Sequence, residues 1–182
     1  MVARLEERYR KEIAPALAKE FGHDNPMSVA RLRKITVSMG MGQTGREANR
    51  LEAAIKELTA ITGQKPIVTK ARQSVSNFRL REGMNVGLKV TLRRDRMYEF
   101  LDRLVMVAIP RVKDFRGLNP NAFDGRGNYN MGLTEQTLFP EINPDKVQFT
   151  QGMNIAFSTT AASDEEARRL LGLLGMPFRP VE

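Results

Sequence analysis

Met84-Asn-Val-Gly-Leu-Lys-Val-Thr-Leu92 alternates without a break: Val86, Leu88, Val90 and Leu92 share one side, and Asn85, Gly87, Lys89 and Thr91 share the other. A period of two marks a strand with one face in the core and one face out. Leu32-Arg-Lys-Ile-Thr-Val-Ser-Met39 has the same character, with Ile35 and Val37 opposed to Lys34 and Thr36. Ile67-Val-Thr69 and Met153-Asn-Ile-Ala-Phe-Ser-Thr-Thr160 read as two more strands. Elsewhere the period lengthens. Residues 2–21 place Leu5, Tyr9, Ile13, Leu17 and Phe21 four apart, as an amphipathic helix does, and Pro15 should kink or restart that helix. Residues 46–62 put Leu51, Ala54, Ile55, Leu58 and Ile61 on one helical face, with Gly63 as the cap. Residues 94–108 do so with Met97, Phe100, Leu101, Leu104 and Ala108, and Pro110 is expected to end the helix. Ser163-Asp-Glu-Glu166 is a capping box that opens a last helix, 164–174, before Gly175 and Pro177. Strands that follow one another without regular helical crossovers predict an α+β fold. The expectation is a mostly antiparallel sheet with helices packed on one face and a long basic loop. The second sheet face is left to meet something else.

Two segments carry no such period. Residues 71–83 read as an exposed loop. Residues 111–130, RVKDFRGLNPNAFDGRGNYN, read as a long loop, yet Phe115, Phe123, Tyr129 and the following Phe139 argue that it is ordered.

At 182 residues, 41% hydrophobic and 27% charged, the chain suits one globular domain spanning 1–182. It has no cysteine, which excludes disulfides and thiolate metal sites, and a single histidine, His23, better suited to a helix end than to ligation. No metal or cofactor is expected. No run of about 18 apolar residues could span a membrane. The charged N-terminus lacks an apolar signal core, so a cytoplasmic location is expected. The net charge is +8, and it is local: Lys65 to Arg96 holds nine basic residues against Glu82 and Asp95, seven of the eight net positive charges. Phosphate backbone is the commonest partner for such a surface. An anionic membrane is the other candidate, but no greasy anchor accompanies the charge.

Gly40-Met-Gly42-Gln-Thr-Gly45 is a literal G-x-G-x-x-G between a strand and a helix. That is the setting of a dinucleotide fingerprint, and a nucleotide-cofactor enzyme is the alternative reading. The motif is weak here. Lys70 and Arg72 stand where an acidic residue should hold the ribose, and the next strand arrives through a basic loop rather than a helix. Glycines at such a turn are also explained by positive φ and close packing. Asp114, Asp124 and Glu135 have no histidine near them. They suit turn formation and ion pairing with Arg116 and Arg126 better than acid–base chemistry.

The loop Lys70-Ala-Arg-Gln-Ser-Val-Ser-Asn-Phe-Arg-Leu-Arg81 is more informative. Its guanidinium groups make bidentate phosphate contacts. Ser74, Ser76 and Asn77 can bond phosphate or 2′-hydroxyl oxygens, and Phe78 can stack on a base or anchor the loop. Lys89 lies on the polar side of its strand with Asn85, Gly87 and Thr91; that side can meet RNA, and Gly87 can admit a close backbone.

Ile61-Thr-Gly-Gln-Lys-Pro66, Ser74-Val-Ser-Asn-Phe-Arg-Leu-Arg-Glu-Gly83, Pro110-Arg-Val-Lys-Asp-Phe-Arg-Gly-Leu118 and Asn119-Pro-Asn-Ala-Phe-Asp-Gly-Arg-Gly-Asn-Tyr-Asn130 resemble bacterial large-subunit ribosomal protein five. So do Val90-Thr-Leu-Arg93, Phe139-Pro-Glu-Ile142 and the stretch from Thr159 to Arg168. The resemblance implies a non-enzymatic protein of the central protuberance, a monomer within the ribosome among neighbouring large-subunit components. It implies binding to 5S rRNA, contact with P-site transfer RNA and a bridge to small-subunit protein thirteen. By resemblance the 5S rRNA surface takes in Ser38, Gln64 and Thr91, with Lys89 and Arg93 beside them. The transfer-RNA loop is Gln73–Arg81, with Gln73, Ser74, Ser76, Asn77, Phe78, Arg79 and Arg81 in contact. The intersubunit contact falls on Arg111, Lys113 and Arg116. Ser38 stands where the family often has asparagine, and Gln73 where it is usually basic.

Overall fold

The computed structural model describes residues 3–42 and 48–180. Five strands, β1 (Leu32–Gly40), β2 (Ile67–Lys70), β3 (Asn85–Leu92), β4 (Tyr129–Leu133) and β5 (Met153–Thr159), form one sheet in the order β2-β3-β1-β5-β4. Every neighbouring pair is antiparallel. The helices α1 (Arg4–Arg8), α2 (Ala14–Phe21), α3 (Ala48–Thr62), α4 (Arg94–Arg103) and α5 (Asp164–Leu173) complete an α+β fold.

Alternation selects the core as the sequence predicts. Ile35, Val37 and Met39 of β1, Leu88, Val90 and Leu92 of β3, and Ile155 and Phe157 of β5 are all buried. Each such side chain contributes about 1.5–3 kcal/mol by leaving water. Met97, Phe100, Leu101, Leu104 and Ala108 meet them from the α4 side, and Phe100 stacks on Phe139 at 5.8 Å between ring centroids. Leu17, Leu58 and Leu170 bury α2, α3 and α5 in the same core cluster.

The helical run ends at Pro110, as expected, but through two changes of turn, with Val112 already extended. The chain passes from α4 through a π turn, Leu104–Ala108, into a 3-10 turn, Ile109–Arg111. The N-terminal helix behaves alike: a π turn, Tyr9–Ile13, separates α1 from α2, and Pro15 follows. In each case the residue before the proline, Ala14 or Ile109, donates its N–H five residues back, to Tyr9 or Leu104. A proline ring clashes with the carbonyl four residues earlier in a regular helix. The additional residue in a π turn moves that carbonyl aside, so the helical run reaches the proline.

The long segment after Arg111 is ordered, as its aromatics suggest, but it ends in a strand, β4, and not in loop. Within β4, Tyr129 and Leu133 are buried while Asn130 and Gly132 are exposed. Tyr129 lies 4.8 Å from Phe123, 5.2 Å from Phe178 and 6.1 Å from Phe157 between centroids. The turn that precedes it is built by two carboxylates. Asp124 accepts from the N–H groups of Arg126 and Asn128 and from the Asn128 amide, and Asp164 accepts from the N–H groups of Gly125 and Gly127. The Asn128 bonds hold the Asp124 carboxyl below its ordinary range. Asp124 is thus a turn former, and its partners are backbone and Asn128 rather than the arginines. The capping box at α5 forms by half: Ser163 accepts from the Glu166 N–H, but Glu166 reaches past it to the Ala162 N–H. Its other oxygen meets His23 Nε2 at 3.0 Å, which ties the end of α2 to the start of α5.

The loop between β2 and β3 has internal structure. Val75 and Leu80 pair across a one-turn 3-10 helix, Ser76–Phe78, and Arg79 closes it at φ +50°. The Glu82 N–H donates to Ser74 Oγ, and Ala71 pairs with Met84 and Gly83 at the base.

Candidate nucleic-acid interface

The helices cover one side of the sheet; the other side is open and polar. Register defines its rows. Ile67, Lys89, Ser38, Asn154 and Gly132 stand opposite one another across all five strands. Beside them run Thr91, Thr36, Ala156 and Asn130, and then Lys34 opposite Ser158. No carboxylate stands in these rows. Ser38, Thr36, Thr91 and Ser158 are half-buried by their neighbours, while Lys89, Asn130 and Asn154 are exposed. Among the described residues, none of the hydroxyl or amide side chains in these rows makes a hydrogen bond within the protein. A face of unused donors and acceptors on a rigid sheet can read irregular RNA by shape and by a few polar contacts.

Three of the expected 5S rRNA residues, Ser38, Lys89 and Thr91, meet on this face, with Ser38 directly opposite Lys89. Arg93 lies just beyond β3, extended and exposed, two residues past Thr91. Gln64 sits apart, half-buried in the turn between α3 and β2, three residues before Ile67. Asn154, Asn130, Thr36 and Ser158 were not singled out from sequence. The signal was present: they are the alternate positions of strands whose apolar positions were recognised or, for Asn130, of the strand that was missed. Gly87 needs a correction. A Cβ there would lie 2.6 Å from the Met39 carbonyl oxygen and 3.2 Å from Thr69 Oγ1, so the protein's own packing requires glycine.

Many of the basic residues on the helices are paired, and those near the sheet are not. Arg4, Arg8, Arg10, Lys11, Arg103 and Arg169, on or beside the helical layer, all pair with carboxylates. Among the described residues, Lys65, Lys70, Arg72, Arg81, Lys89, Arg93, Arg94 and Arg96 form no ion pair. Lys70, Arg72, Arg81, Lys89 and Arg93 therefore put unpaired positive charge on the open face and its flanking loop, while Arg94 and Arg96 add more at the start of α4; each phosphate neutralised there would release counterions.

The loop presents Gln73, Ser74, Ser76, Asn77, Phe78, Arg79 and Arg81 at its surface, with Phe78 71% exposed. Ser74, Ser76, Arg79 and Arg81 line a shallow depression of about 590 Å³ with Leu80 and Met84. Arg111, Lys113 and Arg116 are exposed at the end of the α4 helical run and in the segment after it. That segment is fixed at Leu118, whose backbone pairs with Pro177 and Arg179. Gly40 ends β1, Gly42 follows it at φ +50°, and Gly45 lies outside the described residues. Among the described residues no group of acidic and histidine side chains is placed to hold a metal ion, and no helix is long and apolar enough to cross a membrane.

Comparison with known proteins identifies the family. Residues 25–81 match the family model described as ribosomal protein L5, and residues 85–178 match the model of the ribosomal L5P family C-terminus. The large ribosomal subunit protein uL5 of Rubrobacter xylanophilus is 58% identical over 179 residues, 98% of this chain and 99% of that one. The uL5 protein of Anaeromyxobacter sp. strain Fw109-5 is also 58% identical over 179 residues, with the same coverage. That of Alkaliphilus oremlandii is 57% identical over 177 residues, 97% of this chain and 99% of the relative.

Proposed function

The chain belongs to the ribosomal protein L5 family, non-enzymatic constituents of the large ribosomal subunit in the cytoplasm; from that premise we propose that it binds 5S rRNA through the open sheet face, as one domain. The observation that carries this reading is the acid-free array of unbonded polar groups around Ser38, Lys89 and Thr91. Lysine and arginine at its margin supply affinity from phosphate, and the hydroxyl and amide groups supply selectivity. Ser38 is short, so its contact is either direct at close approach or bridged by water.

The loop Gln73–Arg81 contacts P-site transfer RNA in this reading. Its exposed guanidinium groups and hydroxyls suit a phosphate backbone, and its hairpin presents them beyond the sheet edge. Arg111, Lys113 and Arg116 make the contact to small-subunit protein thirteen; their exposure and anchored backbone support that role.

The test is equilibrium binding of the purified protein to 5S rRNA and to an unrelated RNA duplex of equal length across a salt series. Specific binding that weakens by roughly tenfold or more per fourfold rise in salt supports the reading. Equal affinity for both RNAs, or affinity for 5S rRNA that does not respond to salt, refutes it.

A further inference from the structure

Gly132 is a glycine that the protein itself does not need. It lies inside β4, its φ is outside the left-handed region, and a Cβ built on it meets only Asn154 Oδ1, at an ordinary 3.5 Å. Glycine weakens a strand interior, because it has the most backbone freedom to lose and no side chain to pack. Gly40, at the very end of β1, also meets nothing, but three other glycines near the sheet have an internal cause. Gly87 faces the Met39 carbonyl, Gly127 faces Ala161, and Gly152 lies 3.1 Å from the Leu133 carbonyl oxygen. Gly132 has none, and it is exposed on the open face at the end of the row that contains Lys89, Ser38 and Asn154. Its neighbour Asn154 is exposed, and its amide makes no hydrogen bond among the described residues.

We propose that the RNA surface continues across β5 to the β4 edge, where a sugar–phosphate backbone lies directly on Gly132 and the Asn154 amide hydrogen-bonds to it. This rests on the reading that the open face binds 5S rRNA, and it adds two residues to that site. A bare Cα lets a polymer backbone approach the sheet more closely than any side chain permits. The amide supplies a donor and an acceptor, which matches phosphate and 2′-hydroxyl groups. Lys34 and Lys89 on the same face, with no carboxylate among them, favour RNA over a protein neighbour.

The experiment compares wild type, Gly132→Ala, Gly132→Val, Asn154→Ala and Thr91→Val for 5S rRNA affinity at fixed salt and for unfolding midpoint in denaturant. Gly132→Ala and Gly132→Val should keep or raise the midpoint, since a strand gains a side chain in open space. Affinity should fall about fivefold for Gly132→Ala, more for Gly132→Val, and about fivefold for Asn154→Ala. Wild-type affinity in Gly132→Val, with Thr91→Val weakened, would overturn the extension and leave the site itself standing. Should Gly132→Val fold poorly, Gly132→Ala and Asn154→Ala decide, and unchanged affinity in both overturns the proposal. Unchanged affinity for free 5S rRNA with impaired entry into large subunits would assign the contact to a protein neighbour, which also overturns it. Failure of the wild-type protein to bind 5S rRNA would remove the underlying reading instead.

Discussion

Replacing Thr91 by valine changes one hydroxyl into a methyl group at the centre of the open face. Thr91 stands directly opposite Thr36, half-buried, and its hydroxyl has no hydrogen-bond partner among the described residues. Folding therefore loses no internal bond, and valine suits a strand at least as well as threonine. The change in folding stability should stay within about 0.5 kcal/mol. If 5S rRNA lies on this face as proposed, the same hydroxyl is covered in the complex. Losing it removes one hydrogen bond and leaves the RNA partner atom unpaired, a cost of about 1–2 kcal/mol. That corresponds to a rise in Kd of roughly 5- to 30-fold. The assay is titration of labelled 5S rRNA at fixed salt, with a urea midpoint measured on the same preparation. An unchanged Kd with an unchanged midpoint would place the RNA elsewhere. A weakened Kd with a lowered midpoint would show that the hydroxyl serves the fold.

Gly87→Ala should destabilise by about 1–3 kcal/mol, because its Cβ would stand 2.6 Å from the backbone oxygen of Met39; a midpoint equal to wild type would refute the packing argument. For Asp124, bonds from Asn128 lower the folded carboxyl below its ordinary 3.8, so its stabilisation is present above that value and lost as pH falls through the lowered one. Asp124→Asn should unfold earlier than wild type at neutral pH, and the gap should close in acid; a gap independent of pH would contradict the bonded turn. Replacing Arg79 and Arg81 by alanine should leave folding and 5S rRNA affinity nearly intact, since both side chains are exposed. It should speed dissociation of P-site transfer RNA from ribosomes that carry the variant. An unchanged rate with failed 5S rRNA incorporation would reverse the two assignments.

The strands and helices that a strict period announces were legible in the sequence, from Ile35 and Val37 in β1 to Phe100 and Leu101 in α4. What escaped was set by contacts distant in sequence or by backbone geometry. Tyr129–Leu133 pairs with β5 across some 25 residues, and its one glycine and one asparagine mask a pattern that only the sheet makes evident. Pro110 marks the helix end correctly, but sequence does not announce the π turn that precedes it. Glu166 sits at the capping-box position, but His23, more than 140 residues earlier, shares its carboxylate. At the site, residue types and charge pointed to RNA, and Ser38, Lys89 and Thr91 fell together on one face. The part proposed for Asn154 and Gly132 depends on register, which fixes the opposite partners of each strand and is not written in any one strand alone.

RNA is expected on the open sheet face and not on the helical layer. Lysine acetylation of the protein, free and in complex with 5S rRNA, read residue by residue by mass spectrometry, tests that placement most directly. Lys34 and Lys89 stand on the open face, whereas Lys11 and Lys19 belong to the N-terminal helical run. Protection of Lys34 and Lys89, with Lys11 and Lys19 as reactive as in the free protein, is the expected result. Protection of Lys11 and Lys19 while Lys89 stays reactive would contradict it.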